Sequence, residues 1–158
     1  MHILMCNDDG ILADGLRHLA SYLSQYYRIT VVAPANEQSA KSHALTTEVP
    51  LKLDACNGED ENPRLYALTG TPSDCMKFGL SYLLTDDMPD LVISGINHGF
   101  NLGSDVLYSG TVSAAMESGF YGIPGLALSV ERYSVERGDE MHPFIHELIE
   151  KIYVAGQF

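Results

Sequence analysis

Apolar positions along the chain alternate between two rhythms. His2 to Cys6 is a short apolar run stopped abruptly by Asn7-Asp8-Asp9-Gly10, which predicts a buried strand ending in a turn. Leu16, Leu19, Leu23 and Tyr26 or Tyr27 then recur at steps of three and four, the stripe of a helix. Arg28 to Ala33 is β-branched and halts at Pro34, a second strand. Strand, helix, strand is one βαβ unit, with parallel strands and a right-handed crossover.

The middle of the chain breaks that rhythm. Residues 34 to 42 are polar and read as a loop. His43 to Cys56 is rich in Thr, Val and Leu around Pro50 and reads as two short strand pieces. An acidic turn at Asn57–Pro63 and a short strand at Arg64–Leu68 complete a small antiparallel excursion beside the parallel sheet. Thr71-Pro72-Ser73-Asp74 is a helix start, with a capping hydroxyl, proline at the first position and an acid in the first turn. Cys75, Phe78, Tyr82 and Leu83 are its expected buried face. Asp90–Ser94 is the next strand, Gly95–Gly110 a glycine-rich loop, and Thr111–Phe120 a helix of small residues. Leu126–Val130 is a last strand, apolar enough for burial on both faces, and Phe144–Val154 a last helix. The expected fold is one α/β domain spanning 1–158: a doubly wound, Rossmann-like, mostly parallel sheet sandwiched by helices.

Composition narrows the function. Nine basic against 21 acidic residues give a net charge of −12 with histidine neutral. A surface of that sign repels nucleic-acid phosphates and anionic lipid, so neither DNA, RNA nor a membrane is an expected partner. A phosphate compound would need a local cation to overcome the protein's own field. No apolar run is long enough to span a bilayer. Met1 to Met5 lacks the pattern of a secretory signal. The three cysteines, Cys6, Cys56 and Cys75, are odd in number and form no CxxC pair. Reduced thiols in the cytoplasm are the expectation.

Ligands of open parallel sheets bind beyond the carboxyl ends of the strands. Asn7–Gly10, Asn36–Ser42 and Gly95–Gly110 are expected there, with Thr69–Asp74 reaching toward the same edge. Asp8 and Asp9 can both approach one hard cation; without it they repel, and one would keep its proton. The competing account is a solvated Asp-Asp-Gly turn. Ser39, alone in its loop, carries no signal. Asn97, among glycines and a second asparagine, offers a neutral oxygen ligand. Ser109-Gly110-Thr111 opens a helix whose backbone N–H groups can bind phosphate, with ordinary capping as the alternative. His142 and His146 have a metal-ligand spacing but lack an intervening glutamate, and read as a surface pair. Cys6 reads as a core thiol. No Walker loop, dinucleotide fingerprint or Gly-x-Ser-x-Gly elbow occurs.

Taken together, the motifs resemble those of the SurE family of survival-protein nucleotidases. The matching stretches are Ile3–Gly10, Val32-Ala33-Pro34 with Gln38-Ser39, Thr69–Cys75, Ser94–Asn97 with Gly99 and Asn101, and Asp105–Val112. Gly122-Ile123-Pro124 followed by Ala127-Leu128-Ser129 also fits. The match is co-linear over roughly residues 1 to 130. It implies a phosphomonoesterase of nucleoside monophosphates, or of other phosphomonoesters, with one divalent ion per subunit, Mg²⁺ or Mn²⁺. The family's metal ligands fall on Asp8, Asp9, Ser39 and Asn97, and Asp8 and Asp9 are also the catalytic candidates. Its phosphate-side contacts fall on Asn101, Ser109, Gly110 and Thr111. Ala40 stands where the family often has glycine. Family members usually continue well past this length, in a tail that contributes strands and much of the subunit association. From that, and from the free side expected at Leu126–Val130, the chain is expected to form a homodimer or higher homo-oligomer.

The implied mechanism is attack of a cation-activated water on phosphorus, with backbone N–H groups receiving the growing charge. The proton for the leaving ribose oxygen is left open among His98, the aspartates and a coordinated water. Two rivals stand beside it. One is a phosphoaspartyl route through Asp8 or Asp9, for which Lys77 is a poor partner. The other is a catalytically weak or inactive module that binds metal or nucleotide.

Overall fold

The computed structural model describes residues 1–154, so the last four positions of the expected domain lie outside it. Six strands are β1 (His2–Cys6), β2 (Arg28–Pro34), β3 (Leu53–Ala55), β4 (Arg64–Leu68), β5 (Leu91–His98) and β6 (Gly125–Val130). They form one sheet in the order β3-β4-β2-β1-β5-β6. Every neighbouring pair is parallel except the short β3–β4 pair, which is the expected antiparallel excursion. Helices α1 (Asp14–Leu23) and α4 (Val135–Val154) cover one face; α2 (Pro72–Phe78) and α3 (Gly110–Gly119) cover the other. The α/β reading of the sequence holds. No described helix is long and apolar enough to cross a membrane.

The period-two rule explains why β1 is apolar throughout. Ile3 and Met5 pack with Leu16, Leu19, Leu23, Ile145 and Ile149, while Leu4 and Cys6 pack with Cys75, Met76, Leu80 and Ala114 on the other side. Cys6 is a buried free thiol, as expected, and burial beside it pushes the Cys75 thiol up. From β1 the chain steps to β2 on one side and later returns to β5 on the other. That reversal opens a crevice at the carboxyl ends of β1 and β5.

Several expectations change. Between His43 and Cys56 only Leu53–Ala55 is a strand. The earlier piece spends its polar groups on loop contacts: Thr71 Oγ1 donates to the Ala44 carbonyl, and the Thr46 N–H donates to the Asp74 carboxylate. The Gly95–Gly110 loop is partly structured, because β5 continues to His98 and Gly103–Tyr108 winds as a 3₁₀ turn. Helix α2 starts as read, with Thr71 and Asp74 in a capping box, but passes into a π turn at Gly79–Leu83. The wider turn rotates later positions off the original stripe, so Tyr82 is exposed. Helix α4 begins at Val135, ahead of the expected start at Phe144, and carries Pro143 within it. That places His142 in the core, against Tyr22, rather than on the surface; only His146 stays partly exposed, stacked on Tyr26. Finally, β6 is an edge strand. Leu126, Leu128 and Val130 pack on the core, yet no residue of β6 is fully buried.

Candidate functional site at the carboxyl edge of the sheet

The turn after β1 is fixed from within. Asn7 Nδ2 donates to the Gly10 carbonyl and Asn7 Oδ1 accepts from the Gly10 N–H, each at 3.1 Å. Asp8 and Asp9 therefore leave the strand end on a rigid turn. The Gln38 N–H donates to the Asp8 carbonyl at 2.7 Å, which ties the loop after β2 to this turn. Thr111 Oγ1 donates to Asp8 Oδ1 at 2.6 Å, which ties the start of α3 to it as well. Asp9 Oδ2 accepts from the His98 N–H at 3.4 Å.

Two open pockets meet over this turn. One, of about 370 Å³, is lined by Asp8, Ser39, Asn97, Asn101 and Ser109 among others. The second, of about 430 Å³, is lined by Asp9, Asp14, Glu37 and Tyr133 among others. Ser39 and His98 line both and form the boundary. The four proposed metal ligands thus converge, with Asp9 on the far side of that boundary. Gly110 and Thr111 line neither pocket. Thr111 is wholly buried behind Asp8, and a Cβ on Gly110 would lie 2.8 Å from Asp8 Cβ. Asn101 reaches the pocket, but its amide nitrogen donates to Ser129 Oγ at 2.7 Å.

A bulge in β5 places Asn97. Pairing with β6 slips between Ser94 and Asn97, where Gly95 adopts φ 130°. A side chain there would meet the Leu128 carbonyl oxygen at 2.3 Å, so only glycine fits. Asn97 Nδ2 donates to the Gly99 carbonyl at 2.7 Å, which leaves its Oδ1 free of that bond. Ser39 Oγ donates to Glu37 Oε1 at 2.7 Å, which leaves its lone pairs.

The residues present fit a hard divalent cation. Their available donors are carboxylate, amide and hydroxyl oxygens, the set that suits Mg²⁺ or Mn²⁺. The described residues hold no cluster of three His, Cys, Asp or Glu able to bind a metal, so the set is complete only with the neutral oxygens of Ser39 and Asn97. Burial, and next the Asp8 carboxylate beside it, raise the pKa of Asp9 above the ordinary carboxylate value. Asp8, Asp9, Asp14, Glu37 and Asp105 line the two pockets, and among the described residues no lysine or arginine does. Lys77 lines a separate pocket beside Phe78 and Tyr82.

The family described as Survival protein SurE matches residues 3–157. The chain belongs to the SurE family. A protein named 5′-nucleotidase SurE from Thermoanaerobacter sp. (strain X514) is 49% identical over 156 residues, covering 99% of this chain and 61% of that protein. A Vibrio vulnificus protein of the same name is 50% identical over 130 residues, 82% of this chain and 49% of that one. The crystal structure of the SurE protein from Aquifex aeolicus superposes with a TM-score of 0.84 at 38% identity, covering 96% of this chain and 60% of that one. The chain therefore spans less than two thirds of each of these SurE relatives.

Some residues of this candidate site were given no role by the sequence reading. Glu37 orients Ser39, and Phe100, Asp105 and Tyr108 line the pocket around Asp8. His43 Nε2 meets the buried Glu117 carboxylate at 2.6 Å and ties the Ser39 loop to α3. A lone glutamate among the small residues of Gly110–Gly119 was the one available signal for that pair.

Proposed function

We propose that this chain carries the site of a divalent-metal-dependent phosphomonoesterase acting on nucleoside monophosphates. The observation that carries the reading is a rigid Asp8-Asp9 turn joined to a helix start, in pockets rich in carboxylate and lacking lysine or arginine among the described residues. Phosphate can enter such a field only with a cation, and the donor oxygens suit one. Held by Asp8, Asp9, Ser39 and Asn97, Mg²⁺ or Mn²⁺ supplies Lewis-acid neutralisation of phosphate charge and acidifies water.

The chain's own residues do the rest. Thr111 fixes Asp8 Oδ1 and so sets the carboxylate's orientation. The first N–H groups of α3 have no intrahelical partner, and Ser109 Oγ accepts only that of Val112. Gly110 and Thr111 line neither pocket, so Ser109, the one residue of this helix start that does, is the contact assigned to the non-bridging phosphate oxygens. Hydrolysis adds water across the P–O ester bond and leaves the ribose oxygen needing a proton. His98, Asp8, Asp9 and a coordinated water are the candidates for it, and we favour His98 because it lines both pockets.

The test is phosphate release from a panel of nucleoside 5′- and 3′-monophosphates with Mg²⁺, Mn²⁺ or chelator. Release that chelator abolishes, and that Asp8→Asn loses, supports the reading. Release indifferent to chelator overturns the metal role. A trapped phosphoenzyme assigns the phosphoaspartyl route instead, and saturable nucleotide binding without release makes the chain a binding module.

A further inference from the structure

The segment between the last metal-ligand candidate and α3 exposes four large apolar side chains: Phe100, Leu102, Leu107 and Tyr108. Only the two aromatic ones line the pocket that holds Asp8, Asn97 and Ser109. Phe100 is 56% exposed and Tyr108 64%, so neither ring serves the core. The segment that carries them is nevertheless tied down on both sides. The Gly99 N–H donates to the Val130 carbonyl at 2.8 Å, and Asn101 is tied to Ser129. On the other side Ser42 donates to the Leu107 carbonyl through Oγ at 2.8 Å and to the Tyr108 carbonyl through N–H at 3.1 Å. The rings are thus open to solvent on a braced frame, which lowers the entropy lost when a flat ligand meets them.

We propose that Phe100 and Tyr108 are the stacking surface for the base of the bound nucleotide, an assignment that rests on the phosphomonoesterase reading of the same pocket. A nucleotide has one planar, weakly polar part beyond its phosphate, and aromatic rings bind that part whatever its sequence of donors and acceptors. The pocket, about 370 Å³, lies in the size range of small-ligand sites. Asp105, acceptor-only when ionised, lines the same pocket and can take hydrogen bonds from ribose hydroxyls or a base amino group. Charge and a cation hold the phosphate end; stacking selects a nucleotide over a bare sugar phosphate.

The experiment is calorimetric titration with the 5′-methylenephosphonate analogues of adenosine monophosphate and of ribose 5-phosphate, in Mg²⁺. Neither analogue has a cleavable ester, so the readout is binding rather than turnover. The wild-type chain is expected to bind the adenosine analogue about tenfold more tightly than the ribose one. Phe100→Ala and Tyr108→Ala should each erase most of that ratio while leaving the ribose analogue's affinity unchanged, and Phe100→Trp should keep it. Both rings are exposed, so these variants fold. Equal binding of the two analogues by the wild type, or a ratio untouched in both alanine variants, overturns the stacking surface and leaves the phosphate site standing. Failure of the folded wild type to bind either analogue overturns the nucleotide reading and this assignment together.

Discussion

Replacing Gly110 by alanine sets two effects against each other. Alanine favours a helix over glycine by at most about 1 kcal/mol, and less at a first-turn position. Against that, the new Cβ would sit 2.8 Å from Asp8 Cβ, 3.0 Å from Asp8 Oδ2 and 3.1 Å from Pro72 Cγ. Carbon atoms pack at about 3.5–4.0 Å, so the contact with Asp8 is about an ångström too close. Neither neighbour can swing away. Asp8 is held through its carbonyl by Gln38 and lies in the turn braced by Asn7, and Pro72 is the first residue of α2. The start of α3 must therefore retreat, which stretches the 2.6 Å bond from Thr111 to Asp8. Overpacking of this kind costs about 1–3 kcal/mol, so the clash outweighs propensity and the net loss is about 1 kcal/mol. For a chain of this size that is a fall in Tm of about 2–4 °C. The larger effect is on the cation. Mn²⁺ should raise the wild-type Tm by linkage, and the Gly110→Ala variant should need at least about tenfold more Mn²⁺ for the same rise. Thermal unfolding followed by circular dichroism, with chelator and along a Mn²⁺ series, measures both. An unchanged or higher Tm with an unchanged Mn²⁺ midpoint would refute the reasoning.

Three further outcomes are expected. Ionised Asp9 opposes folding in the absence of a cation, because its raised pKa means the native state holds its proton longer than the unfolded chain does. Metal-free stability should then fall as pH rises from the ordinary carboxylate value of 3.8 through the raised one. Asp9→Asn should remove that slope in melts with chelator and abolish the Mn²⁺-induced rise; a variant that keeps the rise contradicts the ligand assignment. His142 is buried with Nε2 unpartnered, and burial, aided by His18, lowers its pKa. Its contribution to stability is present above the unfolded value of 6.5 and is lost as pH falls through the lowered folded one. His142→Leu should flatten that acid-side loss and be neutral or stabilising by up to about 1 kcal/mol near pH 7, measured by urea unfolding at two pH values. Strand β6 pairs with β5 alone among the described strands, so a second copy is the expected cover and light scattering at micromolar concentration should report a homodimer or larger; a monodisperse monomer excludes it.

The sequence by itself determined the parts that depend on local physics. The apolar run of His2–Cys6, the β-branched stretch to Pro34 and the Thr71–Asp74 cap are each decided by neighbours within a turn or two, and each formed where it was read. Asp8 and Asp9 stood out as candidates because their turn follows a buried strand, whose carboxyl end lies at the ligand edge of a parallel sheet; Ser39 carried no signal of its own and entered only through the family resemblance. Tertiary structure decided everything that rests on contacts between distant segments. Sheet order put β1 beside β5, and that pairing, with a bulge at Gly95, brought Asn97 to Asp8. No local pattern encodes that Thr111 would bond Asp8, that Glu37 would orient Ser39, or that Phe100 and Tyr108 would share a pocket with them. Burial behaves the same way. Pro143 lies inside α4, so His142 reaches the core, and the π turn after α2 sends Tyr82 outward. Periodicity reports which face a residue would take on a regular element. Packing decides whether the element stays regular and what the face meets.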